Sequence, residues 1–350
     1  MKDFKIERLD DTFRKTLLQR LDDIAKPKGS LGRLEEIALK VGLIQKTLKP
    51  HLSNPHHILF SGDHGVEVEH ISKSPREVTW QQTLNFMKFG TAIAYLCKQH
   101  GIKLEVVDSG VDYDFPKDSG IIDYKVRKGT SNYLHTAAMS HEEMELCIDR
   151  GAERVRKAHE DGCNVISFGE MGISNTSSSA LWMHEFTGVP LSECIGAGSG
   201  LNSEELLHKL DVLQRAEDNY KGDHSPKDIL SYFGGFEMVM TVGAMLQAAE
   251  LKMVILIDGF IMTACILAAS KLEPNVLEYA IFGHKGDEKG HSKMLDYLNV
   301  QPILDLGMKL GEGTGAVTAY PIVESAVLMM TEMHTWSGMA ESKNLIEKYF

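Results

Sequence analysis

The chain has 350 residues, 43% hydrophobic and 25% charged, a balance that supports one large domain or two medium ones around a sizeable core. Its net charge of -12 argues against a nucleic-acid or polyanion partner, while leaving room for a local basic pocket for one phosphate. Five cysteines without a CxxC pair read as reduced thiols of a cytoplasmic protein. The charged start MKDFKIERLDDTFRK is no signal peptide, and no apolar run approaches the roughly 18–20 residues of a membrane span.

In chain order, residues 1–48 read as helices with one break. Phe13, Leu17, Leu18, Leu21 and Ile24 recur with helical period, KPKGS interrupts, and Ser30 reads as the N-cap of LGRLEEIALKVGLIQKTL. From residue 56 short apolar runs alternate with helical patterns. HHILFSGDHG, IKLEVVDSGVD, NVISFGEMG and MVILIDGF read as strands. Between them, SPREVTWQQTLNFMKFGTAIAYLCKQHG predicts a helix or helix pair, and HEEMELCIDRGAERVRKAHEDG, NTSSSALWMHEFTG and IMTACILAAS predict single helices. NYKGDHSPKD (219–228) reads as a surface loop. Strands separated by helices form βαβ units, so the expected fold is α/β with a mostly parallel sheet. Four strands end in glycine with serine or an acid (FSGDHG, VVDSGVD, SFGEMG, LIDGF). Ligands bind at the carboxyl ends of parallel strands, so these four ends predict one composite pocket.

Within that frame GEMGISNTSSS (169–179) is the most informative loop. Glycines Gly169 and Gly172 and a run of small polar residues precede a helix, where backbone amides and the helix dipole suit an anion. It lacks the lysine of a Walker loop, which favours a monophosphate; a serine-rich N-cap alone is the alternative. IGAGSGLN (195–202) has GxGxG spacing and argues against a dinucleotide site, while leaving a second phosphate- or ribose-facing turn open. In VVDSGVD the acids Asp108 and Asp112 stand apart, without the threonine-glycine loop of metal-dependent phosphoribosyltransferases. Asp63–His64, and His284 with Asp287, Glu288 and His291, lack metal-binding spacing and read as hydrogen-bonding groups. In LGEGTGA (310–316), Glu312 stands between Gly311 and Gly313 ahead of an apolar helix. It reads equally as a helix cap or as a carboxylate whose partial burial makes it a general base.

KPKGSLGRLE, GDHGV, SPREVT with Gln82, SFGEMGISNTSSS, KLDV, GGFE, LIDGF and LGEGTGA occur in one order across residues 15–335. Together they resemble the nicotinate-nucleotide–dimethylbenzimidazole phosphoribosyltransferase family. The resemblance implies a large Rossmann-like domain (51–325) and a small helical domain built from residues 1–50 and 326–350. It implies a dimer, either of identical chains or paired with a homologue, and a reaction without metal or cofactor. That reaction moves phosphoribosyl from nicotinate mononucleotide to 5,6-dimethylbenzimidazole or a related base, giving α-ribazole 5′-phosphate and nicotinate. By the same resemblance Glu312 is the catalytic base and Glu170 lies in its pocket, near the positive charge that develops on the ribose. Ser74, Gln82 and Met171 face the base, with Gly311 and Gly313 as clearance for a flat ring. Gly172, Ser174, Asn175, Thr176 and Ser177 form the phosphate and ribose side, with Lys209 as its cation. Met171 stands where the family commonly has leucine, and the residues around Gly65–His70 differ, so phenolic acceptors stay open beside nitrogenous ones. A ribosyl hydrolase built on the same pocket is the runner-up.

Overall fold

The carboxylate of Asp10 accepts the amide protons of Thr12 and Phe13 and starts α1 (Asp11–Asp23), which buries Leu17 and Leu21. The computed structural model describes residues 2–88, 90–196 and 200–339. The next helix, α2 (Arg33–Gln45), corrects the expectation for Ser30: its N-cap is Gly32, at φ 47° and with no side-chain cap. Ser30 instead donates its amide to Pro27 in a turn, and Glu35 reaches back to the Leu31 amide and to Lys26 Nζ. A carboxylate one turn into the helix thus replaces the expected hydroxyl cap.

The α/β part follows as β1 (His56–Gly62), α3 (Glu77–Met87), α4 (Ala92–Gln99), β2 (Lys103–Gly110), β3 (Ile122–Asp123), α5 (His141–Glu160) and β4 (Val165–Met171). Then come α6 (Asn175–Thr187), α7 (Leu191–Cys194), α8 (Ser203–Asn219), α9 (Pro226–Phe233), α10 (Phe236–Glu250) and β5 (Val254–Ile257). The chain continues through α11 (Phe260–Leu272), β6 (Ala280–Phe282), α12 (His291–Tyr297) and α13 (Thr314–Glu332). The expected loop at 219–228 contains the link between α8 and α9. In the glycine pattern at 195–202, residues 197–199 lie outside the described residues.

The six strands run in the order β3-β2-β1-β4-β5-β6, every pair parallel. Parallel strands are covered on both faces and therefore read as continuous apolar runs, as VILI of β5 does, with all four residues buried. Helix α10 packs against β1, β2, β4 and β5 with α5 stacked on it, and is buried from Phe236 to Ala249. An all-round apolar helix of that kind belongs in a core. Helix α13 packs against β4 and β5, and also against α2 and α4. Its far end returns to the start of the chain, where Ile24 bridges Thr335. Residues 340–350 lie outside the described residues. Among those described, no helix is long and apolar enough to cross a membrane. All five cysteines are free and buried.

The strand order reverses between β1 and β4, which share neighbouring places in the sheet although separated in sequence. Such a reversal opens a crevice at the carboxyl ends of the strands, and this is where the fold offers a site.

Candidate active site

A cavity of about 340 Å³ opens at these strand ends. Its walls are Glu170, Met171 and Gly172 from the end of β4, Asp258 and Phe260 after β5, His284 after β6, Ser74, Val78 and Gln82 at α3, and residues 308–312. Only two of the four predicted strand ends contribute. The end of β2 is closed because Lys125 Nζ lies 2.6 Å from Asp108. The end of β1 is filled by a fully buried pair, His64 Nε2 to Glu237 Oε1 at 2.6 Å. Asp63 beside it accepts the Asp112 amide at 2.8 Å.

The turn 311–313 is the most constrained part of the wall. Gly311, Glu312 and Gly313 have φ of 81°, 62° and 85°, three left-handed residues in succession. Glycine adopts that conformation freely, whereas a glutamate is strained by roughly 1–2 kcal/mol. The neighbours on either side explain the bare backbone. A Cβ on Gly311 would sit 2.6 Å from Glu170 Oε1, and one on Gly313 would sit 2.0 Å from the His57 ring. The expectation that these glycines clear space for a substrate ring is corrected for Gly313, which does not line the cavity and is cleared for a buried imidazole. Gly311 does line it, but its missing side chain makes room for a carboxylate.

Glu312 does not cap the helix behind it. The N-cap of α13 is Gly313, and the side chain that caps the helix comes from the end of β5, where Asp258 Oδ1 accepts the Ala316 amide at 3.0 Å. Glu312 instead faces the cavity, 5% exposed, with Oε1 accepting from Gln82 Nε2 at 2.7 Å. Its Oε2 is buried and has no hydrogen-bond partner among the described residues. Burial raises its pKa above the ordinary carboxyl range, against the opposing hydrogen bond from Gln82. Glu170 lies beside it, accepting from Asn175 Nδ2 and, at 3.3 Å, from the Glu312 amide. Burial pushes Glu170 up to about 8, so near neutral pH it is largely protonated in the open pocket. Asp258 is held below its ordinary range: its burial is outweighed by His284, whose Nε2 lies 3.4 Å away, and by the Ala316 and Gly259 amides.

The other polar wall is the start of α6. Its N-cap, Ser174, is also left-handed at φ 80°, and its buried Oγ has no hydrogen-bond partner among the described residues. Ser174, Asn175 and Thr176 line the cavity, although the amides of Asn175 and Ser177 are already donated to the carbonyls of Gly172 and Ser174. Ser177 is fully buried and turns away from the cavity. Lys209 stands behind the loop rather than in the wall, its Nζ 3.1 Å from Thr176 Oγ1. Burial brings it down to about 8.

A family profile described as a phosphoribosyltransferase matches residues 6–339. The chain belongs to this phosphoribosyltransferase family. A Bacteroides fragilis protein named nicotinate-nucleotide–dimethylbenzimidazole phosphoribosyltransferase is 58% identical over 350 residues, covering 100% of both chains. A protein of that name from Dechloromonas aromatica is 46% identical, covering 98% of this chain and 99% of its own. The crystal structure of the one from Thermus thermophilus is 33% identical, with a TM-score of 0.90 over 95% of this chain and 99% of that one.

The fold of this family thus brings ten of the thirteen residues expected for the site to one cavity: Glu312, Glu170, Ser74, Gln82, Met171, Gly172, Ser174, Asn175, Thr176 and Gly311. Ser177, Lys209 and Gly313 stand outside the wall. Sequence reasoning places the LIDGF strand end in the pocket without singling out Asp258 or Phe260, and misses His284 as a lining residue. LIDGF is a visible signal for the first two, whereas His284 offers only the weak signal of a histidine among charged residues. The histidines weighed as metal ligands are engaged otherwise: His291 bonds Thr263 Oγ1 at 3.0 Å and the Gly286 amide at 2.9 Å. Among the described residues, the group whose atoms could gather round a metal is His184, Glu185 and Glu217, none of which lines this cavity.

Proposed function

We propose that this enzyme transfers the phosphoribosyl group of nicotinate mononucleotide to a nitrogenous base of the 5,6-dimethylbenzimidazole type, releasing nicotinate. The observation that carries the reading is the Glu312 carboxyl, with one oxygen fixed by Gln82 and the other buried and unpartnered at the cavity wall. A neutral benzimidazole attacks C1′ with one ring nitrogen, and the bond from C1′ to the nicotinate nitrogen breaks. The attacking ring becomes cationic and its other N–H becomes acidic. Glu312 Oε2 takes that proton, leaving α-ribazole 5′-phosphate with a neutral benzimidazole ring. A carboxylate with a raised pKa is the better base near neutral pH.

The remaining walls suit the same chemistry. The positive end of α6 and the Ser174 hydroxyl face the phosphate, with Lys209 behind them as the counter-charge. Val78, Met171 and Phe260 supply apolar surface for a flat ring, which favours an aromatic acceptor over water. Nicotinate mononucleotide carries a pyridinium, and the transition state resembles an oxocarbenium ion. Either cation would lower the Glu170 pKa and draw out its negative charge just where it is needed. No step requires a metal or cofactor.

The ends of the chain, 1–50 and 326–350, are assigned to a small unit beside the 51–325 domain, with 340–350 lying outside the described residues; α13, which crosses the 325/326 bound, packs on α2 as well as on the sheet. The spread of reduced cysteines supports a cytoplasmic enzyme, and the resemblance a dimer of identical or homologous chains. The test incubates the protein with nicotinate mononucleotide and a panel of benzimidazoles, adenine and phenols, followed by mass analysis. An α-ribotide of a nitrogenous base supports the reading. Phenolic products alone would move the acceptor class, and nicotinate release that needs no acceptor would favour the hydrolase.

A further inference from the structure

The Glu312 carboxyl is carried by a left-handed residue, a conformation its glycine neighbours take freely and a glutamate does not. The carbonyl of Glu312 is gripped from below the cavity floor. His57 lies in the second position of β1, directly paired with Ser167 of β4. Its ring is completely buried, with Nδ1 2.8 Å from Ser167 Oγ and Nε2 3.0 Å from the Glu312 carbonyl oxygen. A carbonyl can only accept, so Nε2 carries the proton, and Nδ1 accepts from the serine hydroxyl. The tautomer is therefore set by the sheet and spent on the turn.

Two glycines make this contact possible. A Cβ on Gly169 would lie 2.2 Å from the Glu312 carbonyl oxygen and 2.7 Å from His57 Nε2. A Cβ on Gly313 would overlap the His57 ring. GEMG and GEGTG thus meet across one imidazole, which explains the bare backbone at the first glycine of GEMG and at the glycine after Glu312. Burial keeps the His57 pKa down to about 4, so the ring stays neutral and keeps its single donated hydrogen bond throughout the working range. His57 does not line the cavity and cannot touch a substrate there.

We propose that His57 is the positioning residue for the catalytic base: its Nε2–H holds the Glu312 carbonyl, which keeps the Glu312 carboxyl on Gln82 and pointed into the cavity. The inference rests on the base role given to Glu312 under the proposed function. Its test compares His57→Leu, which keeps the bulk and removes the donor, with His57→Gln, which restores an N–H donor. For His57→Leu, kcat falls roughly 10- to 100-fold, as expected for a misplaced reacting group. KM for nicotinate mononucleotide stays within about threefold, because ground-state binding is untouched. His57→Gln recovers most of the lost kcat. Crystal structures of both variants supply a readout independent of turnover: the Glu312–Gln82 contact is lost in the leucine variant and kept in the glutamine variant. Unchanged kcat and unchanged geometry in His57→Leu would overturn the inference, as would a glutamine variant no better than leucine. If the unaltered enzyme makes no ribotide from any acceptor, the proposed function falls, and the Glu312 geometry in the two crystal structures decides the positioning claim by itself.

Discussion

Two cavities of this molecule differ in a way that volume does not capture. The larger, about 770 Å³, lies between the N-terminal helices and β6 and is lined by Arg8, Arg14, Arg33 and Lys40 among others. Each of these cations is already engaged. Arg8 meets Glu278 at 3.4 Å, Arg14 meets Asp11 at 3.3 Å, Arg33 meets Glu36, and Lys40 bonds the carbonyls of Leu277 and Ala280. The smaller cavity, about 340 Å³, keeps two buried oxygens without partners among the described residues, Glu312 Oε2 and Ser174 Oγ, and both belong to left-handed non-glycine residues. Strain and an unsatisfied polar atom at one residue both cost free energy, and their coincidence at a cavity wall marks a place shaped for a ligand. Charge that is already paired marks structure.

The sharpest way to break this contrast is to remove the base. Glu312→Gln keeps shape and the partnership with Gln82 but cannot take a proton, and turnover should fall roughly 10²- to 10⁴-fold with acceptor binding retained, measured by steady-state rates and calorimetry. The next effect lies behind the phosphate wall. Lys209→Met should raise KM for nicotinate mononucleotide roughly tenfold or more through loss of a buried counter-charge, while kcat at saturation falls less. A smaller effect appears in stability. Glu170 is raised to about 8 in the folded chain against about 4.5 in the unfolded one, so between these values the folded state holds a proton that the unfolded state has released. Its contribution to stability is therefore fully present at pH 4 and lost as pH rises towards 8. Glu170→Gln, which cannot ionise, should gain about 1 kcal/mol or more over the parent at pH 8 relative to pH 5, read from denaturant melts at both values. Smallest of all should be Arg33→Ala in the larger cavity, where an exposed ion pair is worth ~0–1 kcal/mol and transfer kinetics should be unmoved.

The contrast also shows what the sequence made legible. Strands β1, β2, β4 and β5 were plain because a parallel sheet buried on both faces demands unbroken apolar runs, and the helices between them fix the α/β class. Glu312 is legible as an acid between bare glycines, open equally to a cap or a base role, and Glu170 is legible only through the family resemblance. The orientation of their neighbours was not legible. Ser177 is one step along a helix from Thr176, and that step of about 100° carries it from cavity to core. The glycines beside Glu312 suggested room for a ligand, whereas the space belongs to Glu170 and His57, partners 142 and 255 residues distant in the chain. Asp258 caps α13 from the end of another strand, a tertiary contact with no local signal. The missing hydroxyl cap at Ser30 has the opposite origin, since Glu35 satisfies the turn from within the helix.

The central claim is that a carboxyl buried at the turn 311–313 is the proton acceptor, and the pH dependence of kcat tests it most directly. Glu312 must be ionised to act and burial raises its pKa, so activity should rise with pH through an acid limb centred above the ordinary glutamate value. That limb should vanish in Glu312→Gln, leaving a low and flat residual rate. An acid limb that persists unchanged in Glu312→Gln would contradict the account and place the base elsewhere.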